Sequence, residues 1–162
     1  MSQLFDDESL AILERRIDEW LAGMLARNIA DDPVTGIVAI DHAEPDPAFR
    51  ARWYVRMKGE SKDFITVWLT LGQRTLRYET YVMPAPEENV EIFNENLLRR
   101  NDSLIGAHFS IGEEDAVFLR GDRPLNGLTE AELDRIIGSM YAYVEQVFRP
   151  LLAIGFASRL AG

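Results

Sequence analysis

The stretch WYVRMKGESKDFITVWLTLGQRTLRYETYVM, residues 53–83, decides the fold. In it Trp53, Val55 and Met57 alternate with Tyr54, Arg56 and Lys58, and Leu76, Tyr78, Thr80 and Val82 alternate with Arg77, Glu79, Tyr81 and Met83. A period of two sends successive side chains to opposite faces of a strand. Between these runs, Phe64 to Leu71 is apolar at nearly every position except Thr66 and Thr70, the pattern of a central strand covered on both faces. Turn signals at Gly59-Glu-Ser-Lys62 and Gly72-Gln-Arg74 separate the three runs, so they read as an antiparallel meander.

Upstream, Leu10, Leu13, Ile17, Leu21, Met24 and Leu25 recur at spacings of three and four, behind Asp6 and Asp7 at the position of an N-terminal cap. This predicts an amphipathic helix to about Asn28, ended by Asp32-Pro33. A short strand over Val34 to Asp41 and a proline-broken loop from His42 to Pro47 follow.

Downstream, Pro84 and Pro86 close the meander. Pro86 is expected in the first turn of a second helix, with Val90, Phe93, Leu97 and Leu98 as its apolar positions and its end near Asn101. Ala107 to Ile111 and Ala116 to Leu119 read as a hairpin through Gly112-Glu-Glu-Asp115, with Arg120-Gly-Asp122 as strand exit and turn. Thr129 and Glu132 form a capping box ahead of a third helix that buries Leu133, Ile136, Ile137, Met140, Val144, Val147 and Leu151. Pro150 predicts a kink or stop near Phe148, with Leu151 to Phe156 packing as a tail. The fold class is therefore α+β: one domain over residues 1–162, an antiparallel sheet with three helices in the order α-β(β)ββ-α-ββ-α, the helices largely on one side.

At 162 residues the chain can bury roughly 70% of its unfolded surface, so its core needs no disulfide or metal. Zero cysteines exclude thiolate catalysis, zinc fingers and iron–sulfur clusters, and fit a reducing compartment. No apolar run reaches membrane-spanning length, and the acidic N-terminus MSQLFDDESL is unlike a secretory signal, so a cytoplasmic location is expected.

The formal net charge is −10, but unevenly spread. Residues 1–48 hold 11 acids against 3 bases, whereas residues 49–83 hold 3 acids against 7 bases, interleaved with aromatics. Such a mixture suits nucleic acid locally, yet the field of an acidic chain repels a polyanion, and no nucleic-acid partner is expected.

Motifs for chemistry are missing. His42 and His108 lie in different segments, without HxH or HExxH spacing. Glu113-Glu114-Asp115 lacks the ligand alternation of a calcium loop. Glu87, Glu88, Glu91 and Glu95 line up at helical spacing and read as a solvated helix face. Neither a nucleophile motif nor a Gly-rich phosphate loop occurs, so no catalytic residue, cofactor or metal is assigned.

The informative surface is the second face of the meander. With helices over Val55, Val67, Leu69, Leu76 and Val82, the side chains of Tyr54, Arg56, Trp68, Arg77 and Tyr81 point the other way. Aromatic and arginine side chains are enriched at protein interfaces, so these five are the candidate partner-binding residues; the alternative is a solvated face with tolerated aromatics.

Tyr78-Glu-Thr-Tyr-Val-Met-Pro-Ala-Pro-Glu-Glu-Asn89 and Leu97-Leu-Arg-Arg-Asn101 resemble the YbjN family of small bacterial proteins. Phe109-Ser-Ile-Gly112, Glu114-Asp-Ala-Val-Phe-Leu119, Leu128-Thr-Glu-Ala-Glu-Leu-Asp134 and Tyr141-Ala-Tyr-Val-Glu-Gln-Val-Phe-Arg-Pro150 look like its actinobacterial branch, a similarity covering roughly residues 50 to 156. The family is described as sensory transduction regulators and is similar in fold to type III secretion chaperones, small acidic proteins that commonly dimerise and bind partner segments. The resemblance implies the same element order and supplies no catalytic residue; the fold hosts unrelated roles. The expectation is a non-enzymatic, cytoplasmic, homodimeric binding protein, a chaperone-like adaptor or signal-transduction regulator that engages a protein or peptide. The alternative is a small-molecule sensor or an enzyme, with a pocket between sheet and third helix lined by Tyr78, Tyr141 and Tyr143.

Overall fold

A computed structural model describes residues 4–31 and 36–161. The elements run α1 (Asp7–Asp31), β1 (Ile37–His42), β2 (Ala51–Lys58), β3 (Phe64–Leu71), β4 (Thr75–Met83), α2 (Val90–Asn101), β5 (His108–Ile111), β6 (Val117–Pro124), α3 (Glu130–Gly155) and a short α4 (Ala157–Leu160). The six strands form one antiparallel sheet in the order β1-β2-β3-β4-β6-β5. The α+β class and the helix and strand order hold as read from the sequence, with α4 in addition. The expected helix end at Asp32-Pro33 lies outside the described residues.

The period-two pattern of the meander is realised residue by residue. Trp53, Val55 and Met57 pair with Leu69, Val67 and Ile65, and all six are buried. Leu76, Tyr78, Thr80 and Val82 continue this buried face on β4, and Val117, Leu119 and Gly121 on β6. Onto it pack Leu10, Leu13, Ile17 and Leu21 of α1, Phe93 and Leu97 of α2, and Leu133, Ile137, Met140, Val144, Val147 and Leu151 of α3. At roughly 1.5–3 kcal/mol for each large aliphatic side chain removed from water, this layer dominates the folding free energy.

The second face is open. β3 was expected to be covered on both sides; instead Thr66, Trp68 and Thr70 are only half-buried, and Phe64 is exposed. Its apolar look comes from Phe64 and Trp68, large side chains that rest on neighbouring arginines rather than under a helix.

Helix termini follow local chemistry. Asp6 Oδ1 accepts the Ser9 N–H at 2.8 Å and starts α1. Thr129 Oγ1 accepts the Glu132 N–H at 3.2 Å, but the Glu132 carboxylate turns away from the helix and pairs with Arg123 of β6, so the capping box is only half made.

α2 begins at Val90, not at Pro86, because the preceding strap is committed elsewhere: the N–H groups of Glu87 and Glu88 donate to the Gly155 carbonyl, and Asn89 turns left-handed. Glu87 pairs with Arg159 and Glu88 accepts from both the N–H and hydroxyl of Ser158, so these acids anchor the C-terminus rather than line a helix. Likewise α3 does not stop at Phe148 but runs through Pro150 to Gly155. Burial of Leu151 and the seating of Gly155, where a Cβ would lie 2.9 Å from Phe93 Cδ2 and Pro86 Cβ, offset the hydrogen bond that proline removes. Arg120-Gly-Asp122 lies inside β6, with Gly121 opposite Tyr78, not in a turn.

On each edge strand of the sheet, one residue's backbone pair is bonded by a helix asparagine. Asn28 of α1 donates from Nδ2 to the Ile37 carbonyl at 3.0 Å and accepts the Ile37 N–H at 3.4 Å. Asn101 of α2 binds Phe109 of β5 in the same two-bond manner. A bulge between Ile37 and Ala39 further breaks the outer strand.

Candidate functional site

β2, β3, β4 and β6 build the open face, and alternation on each strand selects what it presents. Tyr54 and Trp68 are cross-strand partners, with ring centroids 5.5 Å apart. The Arg52 guanidinium lies 4.4 Å from the Trp68 ring centroid. Further along, Arg56 stacks over Phe64 at 4.2 Å, so guanidinium planes and rings form one layer.

Glu79 organises this layer. Its carboxylate accepts from Arg52 Nη2 at 3.3 Å and from Arg120 Nε at 2.9 Å, with Arg77 Nε at 3.9 Å. Arg120 also bonds Ser110 Oγ at 3.2 Å and lies 4.2 Å from the Phe118 ring centroid. Around this hub, Arg52, Trp68, Glu79, Tyr81, Glu113, Phe118 and Arg120 line a hollow of about 320 Å³. Tyr54, Arg56, Thr66 and Trp68 line a second hollow beside it.

All five candidate residues thus lie on one face. Trp68 joins the two hollows, Tyr54 and Arg56 belong to one and Tyr81 to the other, while Arg77 stands at the rim with 55% of its side chain exposed. Tyr81 packs edge-on against Phe118, its centroid 5.7 Å away. Burial raises the pKa of its hydroxyl, with a further push from Glu114. Lys62 closes this end: its ammonium donates to the Tyr81 carbonyl at 2.6 Å and lies 5.0 Å from the Tyr81 ring centroid, and burial lowers its pKa to about 8.

Arg52, Phe118 and Arg120 were missed as members of this face. The signal for the last two was present, since Val117, Leu119 and Gly121 alternate with Phe118, Arg120 and Asp122. What the sequence could not show is that β6 pairs with β4 and so extends the surface.

A separate cavity of about 410 Å³ lies on the helix side, between α3, the loop Ile105–Ala107 and Tyr78. Tyr78 and Tyr143 line it as expected, but Tyr141 does not; its hydroxyl reaches the Lys58 carbonyl at 3.4 Å. The Tyr78 hydroxyl donates to the Gly106 carbonyl, and burial raises its pKa. Gly121 permits this arrangement, because a Cβ there would lie 2.3 Å from both Tyr78 Cε2 and the Gly106 oxygen.

The histidines stand apart. His42 Nε2 lies 2.7 Å from Asp18 Oδ1, which also accepts from Trp53 Nε1 at 2.8 Å, and His108 is exposed on β5. Among the described residues no helix is long and apolar enough to cross a membrane.

Residues 39–153 match the model of a family described as "Putative bacterial sensory transduction regulator". Uncharacterised proteins of Mycobacterium tuberculosis and Mycobacterium bovis are each 33% identical over 106 residues, 65% of this chain and 58% of theirs. One from Mycobacterium leprae is 29% identical over 109 residues, 67% of this chain and 59% of its own. The chain thus spans under three fifths of the length of these relatives.

Proposed function

The chain belongs to the YbjN family, and from that premise we propose that it is a non-enzymatic regulator that holds an acidic segment of another protein on the open face of its sheet. Tyr54, Arg56, Trp68, Arg77 and Tyr81 are the contact residues. One observation carries this reading: the guanidinium and aromatic layer around Trp68 is held in place by Glu79 but uncovered by any helix among the described residues. Fixed rings and pre-oriented guanidinium groups lose little conformational entropy on binding, and they combine apolar area with polar bonding.

Charge selects the partner. Arg52, Arg56, Lys58, Lys62, Arg77 and Arg120 belong to this face with Asp41, Glu79, Glu113, Glu114 and Asp122, so cations outnumber acids there by one on a chain of net charge −10. In a two-fold dimer built on this face, one basic surface would meet another. An acidic segment complements it instead. Asn28 and Asn101 each occupy one backbone pair of an edge strand, which disfavours strand addition at Ile37 and Phe109.

The test compares wild type with Trp68→Ala/Arg77→Ala in affinity capture from the native host and in sedimentation velocity. A partner retained by wild type, eluted by salt and lost in the double variant is the expected result. An unchanged partner list with unchanged sedimentation overturns the reading, and a wild-type dimer dissociated by the double variant replaces the acidic segment with a second copy.

A further inference from the structure

We propose that the cavity between α3, the Ile105–Ala107 loop and Tyr78 binds a small organic monoanion, a carboxylate carried on an apolar body. The site lies across the sheet from the protein-contact face and stands independently of it. Its volume of about 410 Å³ falls in the range of small-molecule pockets.

The cavity is preformed by its own polar staples. The Tyr78 hydroxyl holds the Gly106 carbonyl, and the Tyr143 hydroxyl bridges the N–H and carbonyl of Ile105, each at 3.3 Å. Arg123 is consumed by Glu132 and by the carbonyls of Pro124 and Asn126. These groups shape the walls and leave little bonding capacity over.

Two polar groups remain. Arg135 and Ser139 lie four residues apart on α3, hence on one face of the helix, and both line the cavity. Neither has a hydrogen-bond or ion-pair partner among the described residues. A guanidinium beside a hydroxyl matches a carboxylate, which takes a bidentate bond from arginine and a third bond from the hydroxyl. The other walls are apolar, from Ile105, Ile136 and Met140, and suit a ring or short acyl chain. The Glu132 carboxylate, although paired, lies in the wall and opposes a second negative charge on the ligand. One uncompensated cation with an acid close by favours a carboxylate over a phosphate dianion.

The experiment is an amide NMR titration of the full chain with 3-phenylpropanoate and octanoate, against 3-phenylpropan-1-ol and phenyl phosphate, accompanied by thermal melts. The two carboxylates should produce saturable shifts confined to residues 105–107 and the turn around Ser139, together with a raised melting temperature. The alcohol and the phosphate should bind at least about tenfold more weakly, and Arg135→Gln, an exposed substitution, should cost the carboxylates about tenfold. Ser139→Trp, which sets a large ring in the cavity wall, should abolish the shifts while the remaining spectrum stays native. No saturable response to either carboxylate overturns the proposal. So do shifts spread over the open sheet face, equal binding of the alcohol, tighter binding of the phosphate, or undiminished binding by Arg135→Gln, whose result stands even if Ser139→Trp fails to fold.

Discussion

The side chain of Asn101 stands in for a seventh strand at Phe109: its Oδ1 accepts the Phe109 N–H at 2.7 Å, and its Nδ2 donates to the Phe109 carbonyl at 3.1 Å. An amide side chain reproduces the donor and acceptor pair of a peptide group, so the edge strand is satisfied without a neighbour. Asn101→Ala should lower the unfolding free energy by about 1–2 kcal/mol in urea titrations. It should also introduce concentration-dependent association in sedimentation, because the freed pair becomes a template for strand addition. A variant as stable and as monodisperse as wild type would refute the role.

Gly121 is required by the close approach of Tyr78 and the Gly106 carbonyl, each 2.3 Å from the position of a Cβ. Gly121→Ala should destabilise by about 1–3 kcal/mol through overpacking. Adding Tyr78→Leu should recover part of that loss in thermal melts, since the clash with the ring is relieved while the backbone contact remains. If the single variant melts with wild type, the packing argument fails.

Glu79 is the shared acceptor of Arg52 and Arg120, and Arg52 Nε is buried with no bond of its own. Glu79→Ala leaves those cations uncompensated. The expected cost is about 1–2 kcal/mol, less than for a fully buried network because the side chains retain 20–30% exposure. A double-mutant cycle with Arg120→Ala should show coupling, and additive effects would count against the hub.

Lys62 sets a pH dependence. Burial lowers its pKa from 10.5 to about 8, so between these values the unfolded chain binds more protons than the folded one, and stability rises with pH across that window. Below pH about 8 the full penalty of burying the ammonium is present. The stability of wild type relative to Lys62→Met should therefore improve as pH increases from about 8 toward 10.5, as read from urea unfolding at successive pH values. A difference constant across that range would remove Lys62 as the cause.

The strands of the meander were legible because a period of two is local: each of Tyr54, Arg56, Trp68, Arg77 and Tyr81 was assigned its face from its immediate neighbours alone. Interactions between distant segments were not. Pro150 reads as a stop until Leu151 and Gly155 are seen to be buried against other elements. Glu87 and Glu88 read as helix acids until Arg159 and Ser158, some seventy residues on, are found beside them. Asn28 and Asn101 carry no local mark of edge closure, since their targets are set by tertiary placement. On the open face, Glu79 was visible as a strand residue but not as the acceptor for arginines from β2 and β6.

β4 carries Arg77 and Glu79 on one side of the sheet and Tyr78, the residue between them, on the other. The basic layer and the helix-side cavity are therefore separated by a single backbone, with no intervening layer of side chains. A slip of β4 by one residue would exchange the occupants of the two surfaces, bringing an arginine to the cavity wall and a tyrosine to the exterior. The register that pairs Tyr78 with Gly121 is thus a common reference for both surfaces, and neither can be repositioned along this strand while the other stays in place.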